Sequence, residues 1–308
     1  MTGNPVLPAD ALDLLRCPVE GGLLAVCPPS GANRLGADGC VSCSTCGRSY
    51  PIAGGVLSLL ADPPAHPELA RELRIRDERA QSILAGTRPE WQSAFADATE
   101  MPPMFAALRP LRGATILELG CGTGRYTLPL ARRAKCVVAV DFSIRSLAVL
   151  REKLPPGSRV ALVQADVSAL RVAPGAFNRV VSTLHSNLPT REHRLACCCL
   201  AASALDDDGR FVFGTHYHGL RDILLRIPRS GYYPETGIYR YRMRPGEVRR
   251  EARTCFERVR VRPTQVRLPG LRNAAAARAA ARLPVLGSFG ELLLAVAERP
   301  VRPARSRS

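Results

Sequence analysis

The segment Ile116-Leu-Glu-Leu-Gly-Cys-Gly-Thr-Gly124, which follows the breaker Arg112-Gly113, constrains the fold more than any other stretch of the chain. Ile116, Leu117 and Leu119 form a short apolar run of the kind buried inside a parallel sheet. Gly120, Gly122 and Gly124 then let the backbone turn sharply, approach a ligand and pack a following helix against the sheet. Such a turn presents free N–H groups at a helix N-terminus, which suit a carboxylate or a ribose as well as a phosphate. The dinucleotide fingerprint wants its third glycine at position 125, where this chain has Arg125. Glu118 adds a carboxylate at the strand end, suited to an ammonium group.

Two more acids fall at the ends of the next two strands. Cys136-Val-Val-Ala-Val140 reads as a buried strand ended by Asp141, at about the distance from the glycine turn where ribose hydroxyls are gripped in βαβ units. Val160-Ala-Leu-Val163 is a third strand, leading into Gln164-Ala-Asp166-Val167. One glycine turn alone fits any strand-to-helix connection; three acids after three successive strands make a binding constellation.

With these residues the chain resembles the class I S-adenosylmethionine-dependent methyltransferases, over roughly residues 113 to 300. The resemblance implies that Glu118, Gly120, Gly122 and Gly124 cradle the methionine end of the cofactor. It implies that Asp141 holds the ribose with Phe142 beside the adenine, and that Asp166 bonds the adenine amino group with Val167 in apolar contact. The chemistry agrees, since S-adenosylmethionine is a sulfonium with an amino acid tail and needs carboxylates and backbone donors rather than a phosphate cradle. The expected fold is α/β, a Rossmann-like seven-stranded methyltransferase sheet with a small N-terminal β-rich zinc-ribbon-like domain. The expected boundaries are 1–61 for the ribbon, 62–112 for a helical linker or lid, 113–300 for the methyltransferase domain and 301–308 for a basic tail.

The ribbon rests on cysteine spacing. Five of the eleven cysteines lie in the first sixty residues, in Leu15-Arg-Cys17-Pro-Val-Glu20 and in Cys40-Val-Ser-Cys43-Ser-Thr-Cys46-Gly. Two knuckles joined by a hairpin can gather four thiolates around a tetrahedral zinc ion. This segment resembles the Trm112-like ribbons, which stand at the N-terminus of bacterial ribosomal RNA guanine methyltransferases. Glu20 stands where the pattern has cysteine. Cys17, Cys43 and Cys46 are the expected ligands, and three outcomes stay open: Glu20 as the fourth, Cys27 or Cys40 as the fourth, or a ribbon that has lost Zn2+. Disulfides are disfavoured on the expectation of a reducing cytoplasm.

The length of 308 residues accommodates a full α/β core and a second small unit. No apolar run is long enough to cross a bilayer and no secretory signal is evident, so the expectation is a cytoplasmic protein without a membrane partner. The net charge is +16; the first hundred residues carry eight Arg against twelve acids, so the catalytic portion holds the whole excess. Lys135 and Lys153 are the only lysines, and an arginine-rich solvated surface accounts for this as simply as a polyanion partner does.

Ala61-Asp-Pro-Pro-Ala-His-Pro67 marks the boundary after the ribbon. Residues 68–84 read as an amphipathic helix with apolar positions 69, 73, 80, 83 and 84, and Trp91 and Phe95 open another helical stretch. By the resemblance, these helices cover the cofactor; as a plain linker, they pack one domain on the other. Phe177 to Ser182 suits a fourth strand, Arg210 to Thr215 a fifth after an Asp208-Gly209 turn, Val259 to Val266 a sixth and Glu291 to Glu298 a seventh. Helices are expected at 191–205 and 243–256, and Cys197, Cys198 and Cys199 spread around the former as small buried residues rather than a metal site.

Open α/β sheets bind ligands at the carboxyl ends of their strands. His185 follows the fourth strand there, and His216 and His218 follow the fifth; all three are candidate bases, each with the alternative of a loop hydrogen bond. Four of the seven tyrosines, Tyr232, Tyr233, Tyr239 and Tyr241, cluster in the insertion after them. The expected activity is methyl transfer to a small-molecule acceptor, oxygen favoured. The alternatives are a base of ribosomal or transfer RNA, or a non-catalytic cofactor-binding scaffold. No Asn-Pro-Pro-Tyr signature follows the fourth strand, and the basic residues are not interleaved with stacking aromatics.

Overall fold

A computed structural model describes residues 8–27, 38–60, 66–87, 94–183, 185–234, 236–266 and 273–302. The N-terminal β-rich segment, called the ribbon below for its expected form, contains α1 (Ala9–Leu12), β1 (Leu15–Arg16), β2 (Leu24–Val26), β3 (Gly39–Cys43), β4 (Ser49–Ala53) and β5 (Val56–Ser58). Two helices follow, α2 (Pro67–Leu84) and α3 (Ala94–Leu108). The central α/β unit runs β6 (Thr115–Leu119), α4 (Thr127–Ala131), β7 (Cys136–Asp141), α5 (Ile144–Lys153), β8 (Val160–Gln164), β9 (Arg171–Val172), β10 (Phe177–Ser182), α6 (Arg191–Ala204) and β11 (Leu205–Tyr217). The chain ends through α7 (Leu220–Leu224), β12 (Ser230–Tyr232), β13 (Tyr239–Met243), α8 (Pro245–Ala252), β14 (Phe256–Val266), α9 (Ala274–Ala280), α10 (Pro284–Gly287) and β15 (Gly290–Pro300).

Seven strands form the order β8-β7-β6-β10-β11-β15-β14, parallel except for β15, which runs antiparallel to both neighbours. The central strands are apolar along nearly their whole length because both faces are covered. Leu117, Leu119, Val138 and Val140 point to a core shared with α6 and α8, while Ile116, Val137 and Ala139 point to one shared with α3, α4 and α5. This alternation fixes the register, and the register sets the acids at the carboxyl ends side by side. On the first face, Arg194 of α6 and Glu251 of α8 form a buried two-point ion pair, with both N···O distances 3.0 Å.

The ribbon is joined to this sheet through backbone pairing. β2, β3, β4 and β5 form an antiparallel meander, and β5 pairs in parallel with β8, bringing Val56, Leu57 and Ser58 opposite Leu162, Val163 and Gln164. The Ser58 hydroxyl donates to Gln164 Oε1 at 2.7 Å and the Leu59 N–H to the Gln164 carbonyl at 2.8 Å. β1 pairs with β9, and Leu15, Cys17, Val41 and Ile52 belong to the same apolar core as Leu117 and Val140. The segment that reads in sequence as a free-standing unit is thus an extension of the main sheet.

Several boundaries differ from expectation. The fifth strand starts at Leu205 and runs through Asp208-Gly209, because β15 pairs with it from Arg210 onward and β10 already pairs at Leu205. The helix expected from Met243 begins at Pro245 and stops at Ala252, since Met243 belongs to β13 and Phe256 opens β14. Trp91 and the tail beyond residue 302 lie outside the described residues. No described helix is long and apolar enough to cross a membrane.

Candidate active site

The glycine turn is held by the strand next to it. Gly120 and Cys121 donate their N–H groups to the Val140 carbonyl at 2.8 and 3.0 Å. The Gly122 N–H donates to Asp141 Oδ2 at 2.8 Å, and the Ser143 N–H to Asp141 Oδ1 at 2.9 Å. Gly120, Gly122 and Gly124 all have positive φ, +75°, +53° and +96°. Their surroundings separate two roles. A Cβ on Gly122 would meet nothing within 4 Å, which is the open cradle a ligand needs, whereas a Cβ on Gly124 would stand 2.3 Å from Leu150 Cδ1. Gly124 therefore serves the packing of α5, and Gly122 faces open space. Arg125 reaches α3 instead, pairing with Asp97 at 2.7 Å and Glu100 at 2.9 Å.

Glu118 is 4% exposed and its Oε2 has no hydrogen-bond partner. A buried carboxylate with one unpartnered oxygen beside an open glycine cradle fits the ammonium group of an amino acid tail. Burial, with the charge of Asp141 nearby, pushes its carboxyl up to about 8. Burial likewise raises the Asp141 carboxyl, against the hydrogen bonds from Ser143 and Gly122 and the charge of Arg76. Asp166 Oδ1 accepts from the N–H and hydroxyl of Ser168 at 2.8 and 2.7 Å, and Phe142 and Val167 are half-buried beside the two strand ends.

The raised Glu118 carboxyl has a measurable consequence. A protonated Glu118 stabilises the empty protein fully below its ordinary carboxyl range, and that contribution is lost as pH rises through about 8. An ammonium ligand requires the ionised form, so affinity for S-adenosylhomocysteine should rise between pH 6 and 8, by up to about tenfold per unit, and level off above. In Glu118→Gln the slope should vanish. Titration calorimetry in two buffers of different ionisation enthalpy checks the accompanying proton release.

α2 closes over this end of the sheet. Asp77 accepts from the Ser143 hydroxyl at 2.6 Å, tying the helix to the turn after Asp141. Glu72, 5% exposed, pairs with Arg76 at 2.9 Å, and Arg76 also lies within electrostatic reach of Asp141 and Tyr233. From the other side comes the tyrosine-rich hairpin of β12 and β13. Tyr232 donates to Glu68 Oε1 at 2.7 Å and lies under the Arg71 guanidinium, 4.2 Å from its ring centre. The Tyr233 hydroxyl bonds His216 Nε2, and the Arg240 guanidinium lies 4.3 Å from the Tyr233 ring centre. Helix and hairpin thus meet beyond the end of β7, through Tyr232 with Glu68 and Arg71.

The three histidines occupy this end in different ways. His185 is 1% exposed, packs 4.5 Å from the Phe213 ring and has no partner on either nitrogen; burial, helped by Arg194, pushes it down to about 3. Burial, helped by Arg240 and Arg242, pushes His216 down to about 3 as well. Both are therefore neutral near pH 7 and weakly basic. His218 is buried, with Nε2 3.1 Å from the Ile227 carbonyl, the loop hydrogen bond foreseen as the alternative. Sequence reasoning singled out Tyr233 within the tyrosine-rich insertion but missed Glu72, Arg76 and Arg240. The i,i+4 Glu72/Arg76 spacing was a signal, although it usually marks a solvated face.

The second cluster is in the ribbon. The sulfur atoms of Cys17, Cys43 and Cys46 lie within 4.8 Å of one another, with Cys17 and Cys46 3.8 Å apart. Cys43 Sγ accepts from the N–H groups of Thr45 and Cys46 at 3.4 and 3.5 Å, the donors of a thiolate knuckle. At Cys17, burial opposes ionisation. The N–H groups of Glu20 and Val19 and the Tyr50 hydroxyl, 3.0 Å away, together outweigh it and bring the thiol down to about 7. Neither expected fourth ligand joins the cluster. Glu20 is exposed and turns its N–H, not its carboxylate, to Cys17, while Cys27 and Cys40 are joined to each other as a disulfide across β2 and β3. The disulfide also departs from the expectation of free thiols throughout.

Residues 116–209 match the family described as a methyltransferase domain. The chain is 27% identical over 161 residues to a probable ribosomal RNA small subunit methyltransferase A of Methanosarcina acetivorans, covering 45% of this chain and 59% of that one. It is 33% identical over 107 residues to a 2-phytyl-1,4-naphtoquinone methyltransferase of Thermosynechococcus vestitus, covering 34% and 44%. The chain thus spans about half the length of these curated relatives. Its fold matches the CcbJ methyltransferase of Streptomyces caelestis with a TM-score of 0.53 at 19% identity, over 74% of this chain and 98% of that one. Residues 116–209 are thus similar to a methyltransferase domain, and S-adenosylmethionine is the cofactor that the open Gly122 and the unpartnered Glu118 oxygen fit.

Proposed function

We propose that the protein methylates a small-molecule acceptor, with oxygen as the favoured nucleophile. The observation that carries this reading is the cover over the carboxyl end of the sheet, where α2 is tied to the turn after Asp141 by Asp77–Ser143 and to the β12–β13 hairpin by Tyr232–Glu68. A site covered by a helix and a hairpin suits a small acceptor better than a nucleobase presented on a long chain. When bound, the cofactor supplies an electrophilic methyl group on a sulfonium. On this proposal Glu118 holds its ammonium group and the glycine turn its carboxylate, Asp141 holds the ribose, and Phe142, Asp166 and Val167 hold the adenine. Methyl transfer is an in-line displacement, so the main work of the protein is alignment and water exclusion. In this scheme neutral His216 directs the Tyr233 hydroxyl, while His185 and His218 shape the wall.

RNA is the second reading, favoured by the ribosomal RNA methyltransferase likeness and by the positive excess beyond residue 100. Titration with S-adenosylmethionine and S-adenosylhomocysteine, followed by methyl-label transfer into fractionated cell extract, separates the two. Label in the metabolite fraction supports the first reading and label in RNA the second; absence of cofactor affinity overturns both, and leaves neither a methyltransferase nor a cofactor-binding scaffold.

We also propose that the ribbon is Trm112-like and holds zinc through Cys17, Cys43 and Cys46, the fourth position being open to solvent or a partner. Three clustered thiols with backbone N–H donors and one thiol near 7 suit Zn2+. Purified protein should release about one zinc per chain on denaturation, detected with a chromophoric chelator. Cys43→Ser should lose it and melt several degrees lower; unchanged melting and no released metal would refute the proposal.

A further inference from the structure

The β12–β13 hairpin and the end of β11 carry an unbalanced positive charge around Tyr233 and His216. Arg76, Arg240 and Arg242 all act on Tyr233, and Arg240 and Arg242 act on its partner His216. Arg76 is answered by Glu72 at 2.9 Å and Arg242 by Asp222 at 3.2 Å. Arg240 has no ion-pair partner among the described residues, and its Nε is buried without a hydrogen bond. A guanidinium laid on a tyrosine face with an unused N–H donor is costly unless something negative completes it. Arg76 places this group near the cofactor, because the same side chain lies within reach of Asp141, the acid at the end of β7.

The groups that could remove a proton here are poorly suited to it. His216 is spent on the Tyr233 hydroxyl and also faces the Glu291 carbonyl, and His185 is sealed against Phe213. A nucleophile that arrives already ionised needs neither of them. We propose that the acceptor is an oxyanion, a carboxylate or an acidic hydroxyl, bound by Arg240 and methylated on oxygen without a general base. This rests on the methyltransferase reading above. In the step itself, a lone pair of the acceptor oxygen forms the new C–O bond. The methyl–sulfur bond breaks with its electron pair going to sulfur. A sulfonium and an oxyanion become a neutral thioether and a neutral ester or ether, and no proton moves. Arg240 keeps the acceptor ionised and oriented, since guanidinium pairs with a carboxylate in a fixed fork.

The test uses the full chain saturated with S-adenosylhomocysteine and five probes: benzoate, 4-hydroxybenzoate, benzamide, 4-hydroxybenzamide and phenol. The acids should bind about tenfold or more tightly than the amides and phenol by titration calorimetry. Arg240→Gln should abolish that preference while leaving S-adenosylhomocysteine affinity unchanged, and Arg240→Lys should restore part of it. With labelled S-adenosylmethionine, label released by mild alkali identifies a carboxylate acceptor, and alkali-stable label a hydroxyl. Equal binding of acids and amides, or a preference that survives in Arg240→Gln, overturns the proposal while leaving the methyltransferase reading intact. Failure to bind S-adenosylhomocysteine at all overturns the methyltransferase reading first.

Discussion

Asp141→Ala should lose S-adenosylhomocysteine affinity by roughly 100-fold or more and melt roughly 5 °C lower. The size follows from what the carboxylate does in the protein before any ligand arrives. Its two oxygens accept the N–H groups of Gly122 and Ser143, so it ties the glycine turn to the start of α5. Removing both acceptors orphans two donors, one of them Ser143, fully buried, at about 1–3 kcal/mol each. The same oxygens are those that would take ribose hydroxyls, so turn geometry and ligand contacts fail together. Asp141→Asn separates the two effects, because its single oxygen can still hold one donor. A variant Asp141→Ala whose affinity stays within threefold of wild type would mean that the cofactor binds elsewhere.

Deleting residues 1–60 should give an insoluble or molten chain rather than an independent catalytic domain. The deletion strips β5 from β8 and leaves a row of unpaired backbone groups along a flat apolar strand, an invitation to aggregation. It also removes Leu15, Cys17, Leu57 and Leu59, each at most 2% exposed, from a core that continues under Leu117 and Val140. Losses of this kind come to several kcal/mol, comparable to the whole stability of a typical domain. Size-exclusion chromatography and near-UV circular dichroism of residues 61–308 decide it. A monodisperse, cooperatively melting product would show that the ribbon is dispensable.

How far the sequence revealed this protein depended on the range of the interactions involved. Ile116 to Gly124 was legible because strand burial and the glycine conformations are local, and the acids at 118, 141 and 166 repeat with the βαβ period. The union of ribbon and sheet was not legible. Val56-Leu-Ser58 has the pattern of any short buried strand, and nothing in it names β8, more than a hundred residues on, as its partner. The three thiols came together as their spacing implied, while Glu20 did not: its side chain is exposed, and Cys17 takes the Glu20 N–H instead of its carboxylate. His185 and His216 sit at the expected strand ends, but their basicity is set by tertiary burial and by Arg194, Arg240 and Arg242, which no local pattern reports. Arg240 itself looked like one more surface arginine in an arginine-rich chain.

The pairing of β5 with β8 also changes how the molecule breathes. In an open sheet the outermost strand frays first, and its amides exchange with solvent on the timescale of local opening. Here β8, which leads into Asp166, lies between β7 and β5, and Gln164 is clasped through both its carbonyl and its side chain by Leu59 and Ser58. The strand end that carries Asp166 is therefore removed from the fraying margin, and opening it requires the N-terminal strands to peel away as well. Whatever loosens the cysteine cluster should shorten the deuterium-exchange lifetimes of Leu162 to Gln164, so that the state of the N-terminal strands can be followed from the strand that β5 pairs with.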